Sequence, residues 1–186
     1  CVLTDARDLT SCRMTDSGGL MVALGTSTAT TAEDGSFTIA TPAIAGVLWE
    51  VTGSTVVQSV TVFTGQTRIP VMDDVMFTDL RNVNGVLPVN GTGSVMIRLT
   101  RGGSPVTGEQ VVVSPTNDVG TFYDPPIAGD AWTTTATGAF GTAYIPGVTT
   151  GTASLTLSAG GTMQGTLSGI PISDGGRCFA VRLSGG

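Results

Sequence analysis

The side chains able to do chemistry in this chain are almost all carboxylates. It contains no histidine, and all eight of its basic residues are arginine. The commonest general base, the imidazole of Ser-His-Asp and Cys-His sites and the amine of Schiff-base chemistry are therefore missing. Fourteen Asp and Glu residues remain. A glycosidase would need two of them facing each other across a cleft, but nearly all sit beside Gly, Asn, Pro or Ser, where an acidic side chain shapes a turn. The chain is expected not to be an enzyme. Asp73 and Asp74, with Asp79 nearby, could offer oxygens to Ca²⁺. No loop has the regular ligand spacing of a calcium cage, so a solvated, charged connector is the competing reading and no cofactor is expected.

Among the aromatic residues, Trp49 lies in the apolar run Val47 to Val51 and is expected in a core. Phe122, Tyr123 and Trp132 bracket an irregular loop, Tyr123-Asp124-Pro125-Pro126, whose consecutive prolines exclude a central strand. Aromatic side chains stack on sugars and anchor protein hot spots, so these three form the candidate binding patch, with carbohydrate as one ligand. Core packing is the competing reading. Asn90-Gly91-Thr92 fits a glycosylation sequon, and a linker accounts for the same residues.

The three cysteines, Cys1, Cys12 and Cys178, match no zinc spacing. Read as a hairpin, residues 1–4 and 9–12 flank Asp5-Ala6-Arg7-Asp8 and place Cys1 opposite Cys12, close enough for a disulfide. That pairing implies an oxidising compartment and leaves Cys178 buried in the last strand or free to join another chain. A second reading takes Cys1 as the lipidated cysteine of a surface lipoprotein, with Cys12 paired to Cys178. Against it, Val2-Leu3-Thr4 reads at once as strand rather than as a flexible tether.

These residues need a scaffold, and composition points to β-structure. Gly is abundant at 27 residues, lysine is absent, and Thr is frequent while Glu is scarce, which removes most good helix formers. Aromatics are only 5%, so the cores should be aliphatic. A net charge of −6 repels phosphate backbones and anionic membranes, so no nucleic-acid partner is expected. No run of about 18 apolar residues suggests a membrane span. No basic segment followed by an apolar one is visible, so any signal peptide is expected to have been removed.

Short alternating or apolar runs between Gly, Pro, Asn and Asp clusters predict strands over 1–4, 9–15, 19–24, 36–40, 46–52, 56–63 and 67–72. In the second half they fall over 94–100, 109–114, 131–135, 141–145, 152–158, 162–167 and 178–183. Residues 101–106 read as a turn and 73–80 as a connector or short strand. An internal repeat aligns Thr30-Thr31-Ala32-Glu33-Asp34-Gly35-Ser36-Phe37, then Pro42 and Gly46, with Thr134-Thr135-Ala136-Thr137-Gly138-Ala139-Phe140, then Pro146 and Gly151. The fold class expected is all-β: two tandem antiparallel β-sandwich domains, 1–75 and 93–186, joined by a linker over 76–92.

The motif Thr-x-x-Asp-Gly-x-Phe-x-Ile, from Thr31 to Ile39, resembles the hairpin of carboxypeptidase-regulatory-like, transthyretin-like domains. Gly103-Ser104-Pro105-Val106-Thr107-Gly108-Glu109-Gln110-Val111, with Gly141-Thr142-Ala143, is similar to bacterial Ig-like domains of surface proteins. The resemblance implies a sandwich fold and an extracellular or cell-surface habitat. The Lys-Asn and Lys-Asp cross-links of some such domains are excluded, because there is no lysine. The expected function is a non-catalytic structural or adhesive module that partners other protein subunits or self-assembles into a fibre or shell through edge strands. The alternative is a carbohydrate-binding or other ligand-binding module of a surface lipoprotein.

Overall fold

The computed structural model describes residues 1–40, 47–62, 67–159 and 162–183, with backbone alone at 159 and 177–183. The elements of the first half are β1 (Val2–Leu3), β2 (Cys12–Arg13), β3 (Met21–Leu24), β4 (Ser27–Thr30), β5 (Leu48–Thr52) and β6 (Ser59–Val62), followed by helix α1 (Asp74–Val83). The second half supplies β7 (Thr92–Arg101), β8 (Ser104–Pro105), β9 (Glu109–Ser114), β10 (Phe122–Tyr123), β11 (Thr142–Thr149), β12 (Gly151–Ala159), β13 (Thr162–Ile172) and β14 (Arg177–Leu183). No helix of the described residues is long and apolar enough to cross a membrane.

The chain is mostly β, but its sheets do not divide at the expected boundary. One sheet runs β10-β11-β7-β14-β6-β5-β3-β4, with β8 paired to the end of β7, and a second runs β13-β12-β9. The last strand lies between the two halves: β14 pairs in parallel with β6, Arg177 opposite Ser59, and with β7, Arg177 opposite Ser94. The large sheet is therefore mixed rather than antiparallel. Gly93 makes the entry to β14 possible, because a Cβ there would collide with the carbonyl oxygen of Ser173.

Strands β7 and β11 are covered on both faces, which is why they read as continuous apolar runs. Val95, Ile97, Leu99, Ala143 and Ile145 pack against Val111, Val113, Leu155 and Leu157 of the small sheet. On the opposite face Met96 and Tyr144 pack under Phe77 and Leu80 of α1, with Leu3, Leu9 and Trp132. A third core in the first half gathers Leu20, Val22, Leu24, Trp49 and Val51. Val2 belongs to this third core while its neighbour Leu3 belongs to the second, so β1 joins the two with successive side chains.

Several expectations are corrected. Residues 76–92 are not a linker, and 73–80 are neither turn nor strand, because α1 occupies Asp74–Val83. Asp73 caps it by accepting the Met76 N–H (2.7 Å), Asp74 and Arg81 suit the two ends of the helix dipole, and Asn84-Gly85 closes it, Gly85 at φ +65°. Segment 36–40 forms no strand, 67–72 contributes only the isolated bridge of Val71 to Val2, and 131–135 only that of Thr133 to Tyr123. Strands β8 and β10 lie outside the expected runs, and β4 is the Thr-rich strand that leads into the first copy of the repeat. Pro42 and Gly46 of the repeat and the side chain of Cys178 lie outside the described residues.

Cys1 and Cys12 are joined, their Cα atoms 5.5 Å apart. The register differs from the expected one by two residues: Leu3, not Cys1, lies opposite Cys12. A shift of two keeps every side chain on its face, so the bridge forms along the diagonal.

The internal repeat is visible as one hydrogen-bond pattern made twice. Thr31 Oγ1 accepts the Leu20 N–H (2.9 Å) and donates to the Ser17 carbonyl (2.5 Å). Thr137 Oγ1 accepts the Glu109 N–H (3.0 Å) and donates to the Val106 carbonyl (2.7 Å). In both copies the threonine N–H donates to the same strand residue, Leu20 or Glu109, and a left-handed glycine, Gly19 or Gly108, donates to the threonine carbonyl. Each copy then turns through a second left-handed glycine four residues on, Gly35 or Gly141. The equivalent of Thr31 is thus Thr137, two residues beyond the Thr135 of the sequence alignment.

Replacing either hydroxyl strands a buried N–H and C=O, which costs about 1–3 kcal/mol. We expect Thr31→Val and Thr137→Val to lower the stability from urea unfolding by that amount, with similar losses. A loss confined to one site would mean that the clasps are not equivalent.

Candidate functional site

Phe122, Tyr123 and Trp132 do not form an exposed patch. Successive residues of β10 point to opposite faces: Tyr123 enters the core under the small sheet, where its hydroxyl accepts the Val111 N–H (2.8 Å). Phe122 lies on the other face, stacked on Tyr144 with centroids 6.1 Å apart. Trp132 packs edge-on against the same Tyr144 at 6.3 Å and is 7% exposed. The prolines signalled an irregular segment correctly, but its flanks alternate into two cores. Trp49 is buried, edge-on to Phe37 at 5.7 Å. Asn90 of the sequon is exposed just before β7.

Of the acidic residues weighed for calcium, Asp73 is occupied as the α1 cap and Asp74 sits in the first turn. No group of three or more His, Cys, Asp or Glu among the described residues is placed to hold a metal ion. Asp73, Asp74 and Asp79 border one open hollow with Arg13, and Asp79 also lies on a pocket of about 250 Å³ formed by α1, the loop of the N-terminal hairpin and residues 128–132. Ala6, Met76, Leu80 and Trp132 give its apolar walls, and Asp5, Asp79 and Asp130 its carboxylates. Trp132 is fixed there by its backbone N–H, which donates to Asn84 Oδ1 (2.8 Å) at the end of α1.

Arg7 shapes one side of this pocket. Its guanidinium donates to Asp5 (2.7 and 3.1 Å) and to the carbonyls of Pro125 (3.3 Å) and Pro126 (2.9 Å), and lies 4.8 Å from the Phe140 ring centroid. The pairing holds the Asp5 carboxyl below its ordinary range. Asp124 is the opposite case. It is 1% exposed, and its carboxylate accepts the N–H groups of Gly138 (2.9 Å), Phe140 (2.8 Å) and Thr142 (2.9 Å). Burial pushes its carboxyl up and the three amides pull it partly back. Nothing in the Asp124-Pro125-Pro126 spacing marks it as the clamp for a loop fourteen residues downstream.

The sheet edges differ in how they are closed. On β9, Val111 gives its N–H to the Tyr123 hydroxyl and receives the Thr121 hydroxyl at its carbonyl (3.2 Å), Thr137 takes the backbone of Glu109, and the Glu109 carboxylate points inward. Strand β10 is closed by two hydrogen bonds between Tyr123 and Thr133 (2.7 and 2.9 Å). Strand β13 has no charge, but its register with β12 slips twice and Pro171 removes a donor. Strand β4 has none of these protections. Its pairing with β3 is unbroken from Met21–Thr30 to Leu24–Ser27, it carries no charge and no proline, Thr28 and Thr30 are exposed, and no strand of the described residues pairs with its outer side. Bulges, inward charges and side-chain bonds are the usual protections against edge-to-edge pairing.

No protein-family model matches the chain, and no curated protein matches it.

A titration followed by carbon chemical shifts should place Asp5 below and Asp124 above the ordinary aspartate value of 3.8. Asp5 then stabilises the fold above 3.8, and this stabilisation is lost as pH falls through its lower folded value. For Asp124 the sign reverses, its contribution decreasing as pH rises from 3.8 through its higher folded value. An Asp124 midpoint below 3.8 would show that the three amides outweigh burial.

Proposed function

We propose that the chain is a non-catalytic structural or adhesive module working outside the cell or on its surface, and that it assembles with other subunits of its own kind. The observation that carries this reading is the edge at β4, four residues long but uncharged, regular and without a bulge, at one end of a continuous sheet whose other end at β10 is closed. An open, uncharged and regular edge is a template for strand addition, and pairing there extends the sheet from one copy into the next.

Two further features support the reading. The Cys1–Cys12 bridge fits an oxidising compartment and uses the sulfur that lipid attachment at Cys1 would need. Asp124 and Asp73 are engaged with backbone amides, and the buried Glu109 faces Arg101 at 3.6 Å, arrangements that suit scaffolding better than proton transfer. The sugar-binding alternative loses its main support, because the faces of Phe122, Tyr123 and Trp132 are packed against other side chains.

The test is sedimentation velocity over a concentration series, comparing the wild type with Thr28→Lys. A lysine on the exposed edge sets like charges against each other across the pairing. We expect the wild type to associate and the variant to associate at least about tenfold more weakly, with unchanged thermal stability. A wild type that stays monomeric, or a variant that associates equally well, would contradict assembly through β4.

A further inference from the structure

The pocket beside α1 is built for a ligand of defined chemistry. We infer that it receives the cationic side chain of a lysine or arginine presented by a partner protein, an inference that rests on the adhesive reading and supplies its contact chemistry.

The argument starts from the charges. Among the residues lining the pocket, Arg7 is the sole cation. Its guanidinium is already engaged by Asp5, by two carbonyls and by the face of Phe140, so the Asp5–Arg7 pair adds little net field. Asp79 and Asp130 remain. Both are exposed at the mouth; Arg7 acts on Asp130 only at longer range than an ion pair, and no charge of the described residues is paired with Asp79. An anionic ligand would be repelled. A neutral one would displace water from two carboxylates without replacing it.

The walls define the rest of the ligand. Ala6, Met76, Leu80 and Trp132 are apolar, and about 250 Å³ is room for one long side chain but not for a folded peptide segment. A long stem along apolar walls with its charged head at an acidic mouth is how lysine and arginine are ordinarily accommodated. Arg7 is the only cation of this chain lining the pocket, and a net charge of −6 favours a basic partner, drawn in by the acidic surface.

The probe is Nα-acetyl-lysine methylamide, titrated into the intact protein while amide and indole signals of Ala6, Gly129 and Trp132 are followed by NMR. Its Nε-acetylated counterpart keeps the stem and removes the charge. We expect saturable shifts at these three residues with a dissociation constant in the millimolar range, at least about tenfold weaker binding of the acetylated probe, and at least about tenfold loss in the double variant Asp79→Asn, Asp130→Asn. Both substitutions are on exposed residues, and an unchanged melting curve verifies the fold. Equal binding of the two probes, undiminished binding by the double variant, or no saturable shift would each overturn the inference. Its failure is distinct from failure of the assembly reading, which is measured at β4 through Thr28→Lys and involves none of the pocket residues.

Discussion

Everything in this structure depends on where the last strand goes. β14 enters between β6 and β7 in parallel with both, and the backbone bonds it makes on its two sides turn two half-sheets into one. Without it, β6 and β7 would each present an unpaired edge, a row of donors and acceptors that must find partners or water. The β1 strand reinforces the join, since Val2 fills the core of the first half while Leu3 fills the core beneath α1. The disulfide ties this straddling strand to β2. The pocket under α1 exists because the hairpin is held there.

On this frame, hydroxyl and carboxyl groups do the work that larger aromatic cores do elsewhere. The Thr31 and Thr137 clasps fix the start of β3 and of β9, Asp124 gathers three amides of the turn after Thr137, and the Tyr123 hydroxyl closes the edge of β9. Each joins segments ten or more residues apart through buried polar contacts, which are costly to leave half-made. An aliphatic protein with few aromatic residues can be held in one register by such contacts. They leave the outer surfaces rich in small uncharged side chains, and β4 is where that surface meets an open backbone edge.

Much of this was legible locally. The alternation in Glu109–Ser114 gave β9 with its bounds, and the Thr-rich repeat marked two related turns, two residues out of step because the spacing of Thr134, Thr135 and Thr137 allows more than one alignment. The hairpin of Cys1 and Cys12 was readable as a pairing but not in register, since a shift of two leaves the inward faces unchanged. Helix α1 was half legible: Val75, Met76 and Leu80 stand near helical spacing, but Val75 is exposed and Phe77 and Leu80 with the partly buried Met76 face the core, while the clearer signals are Asp73, Arg81 and Asn84-Gly85 at its ends. The insertion of β14 had no local signature, because a strand's own residues do not say which neighbours it will have. The division into two sandwich domains failed to anticipate the shared sheet for that reason. One further signal was available: no charged residue occurs from 131 to 173, where β11, β12 and β13 lie.

The most direct test of the account uses the two tryptophans, Trp49 in the first half and Trp132 beneath α1. Urea unfolding of Trp49→Phe and Trp132→Phe, each followed by the remaining tryptophan, compares the two halves separately. A sheet joined through β14 predicts that the two transitions, each corrected for the stability lost to its own substitution, coincide in midpoint and slope. Two separated transitions, with one half keeping its structure while the other unfolds, would contradict the shared sheet and restore two independent domains.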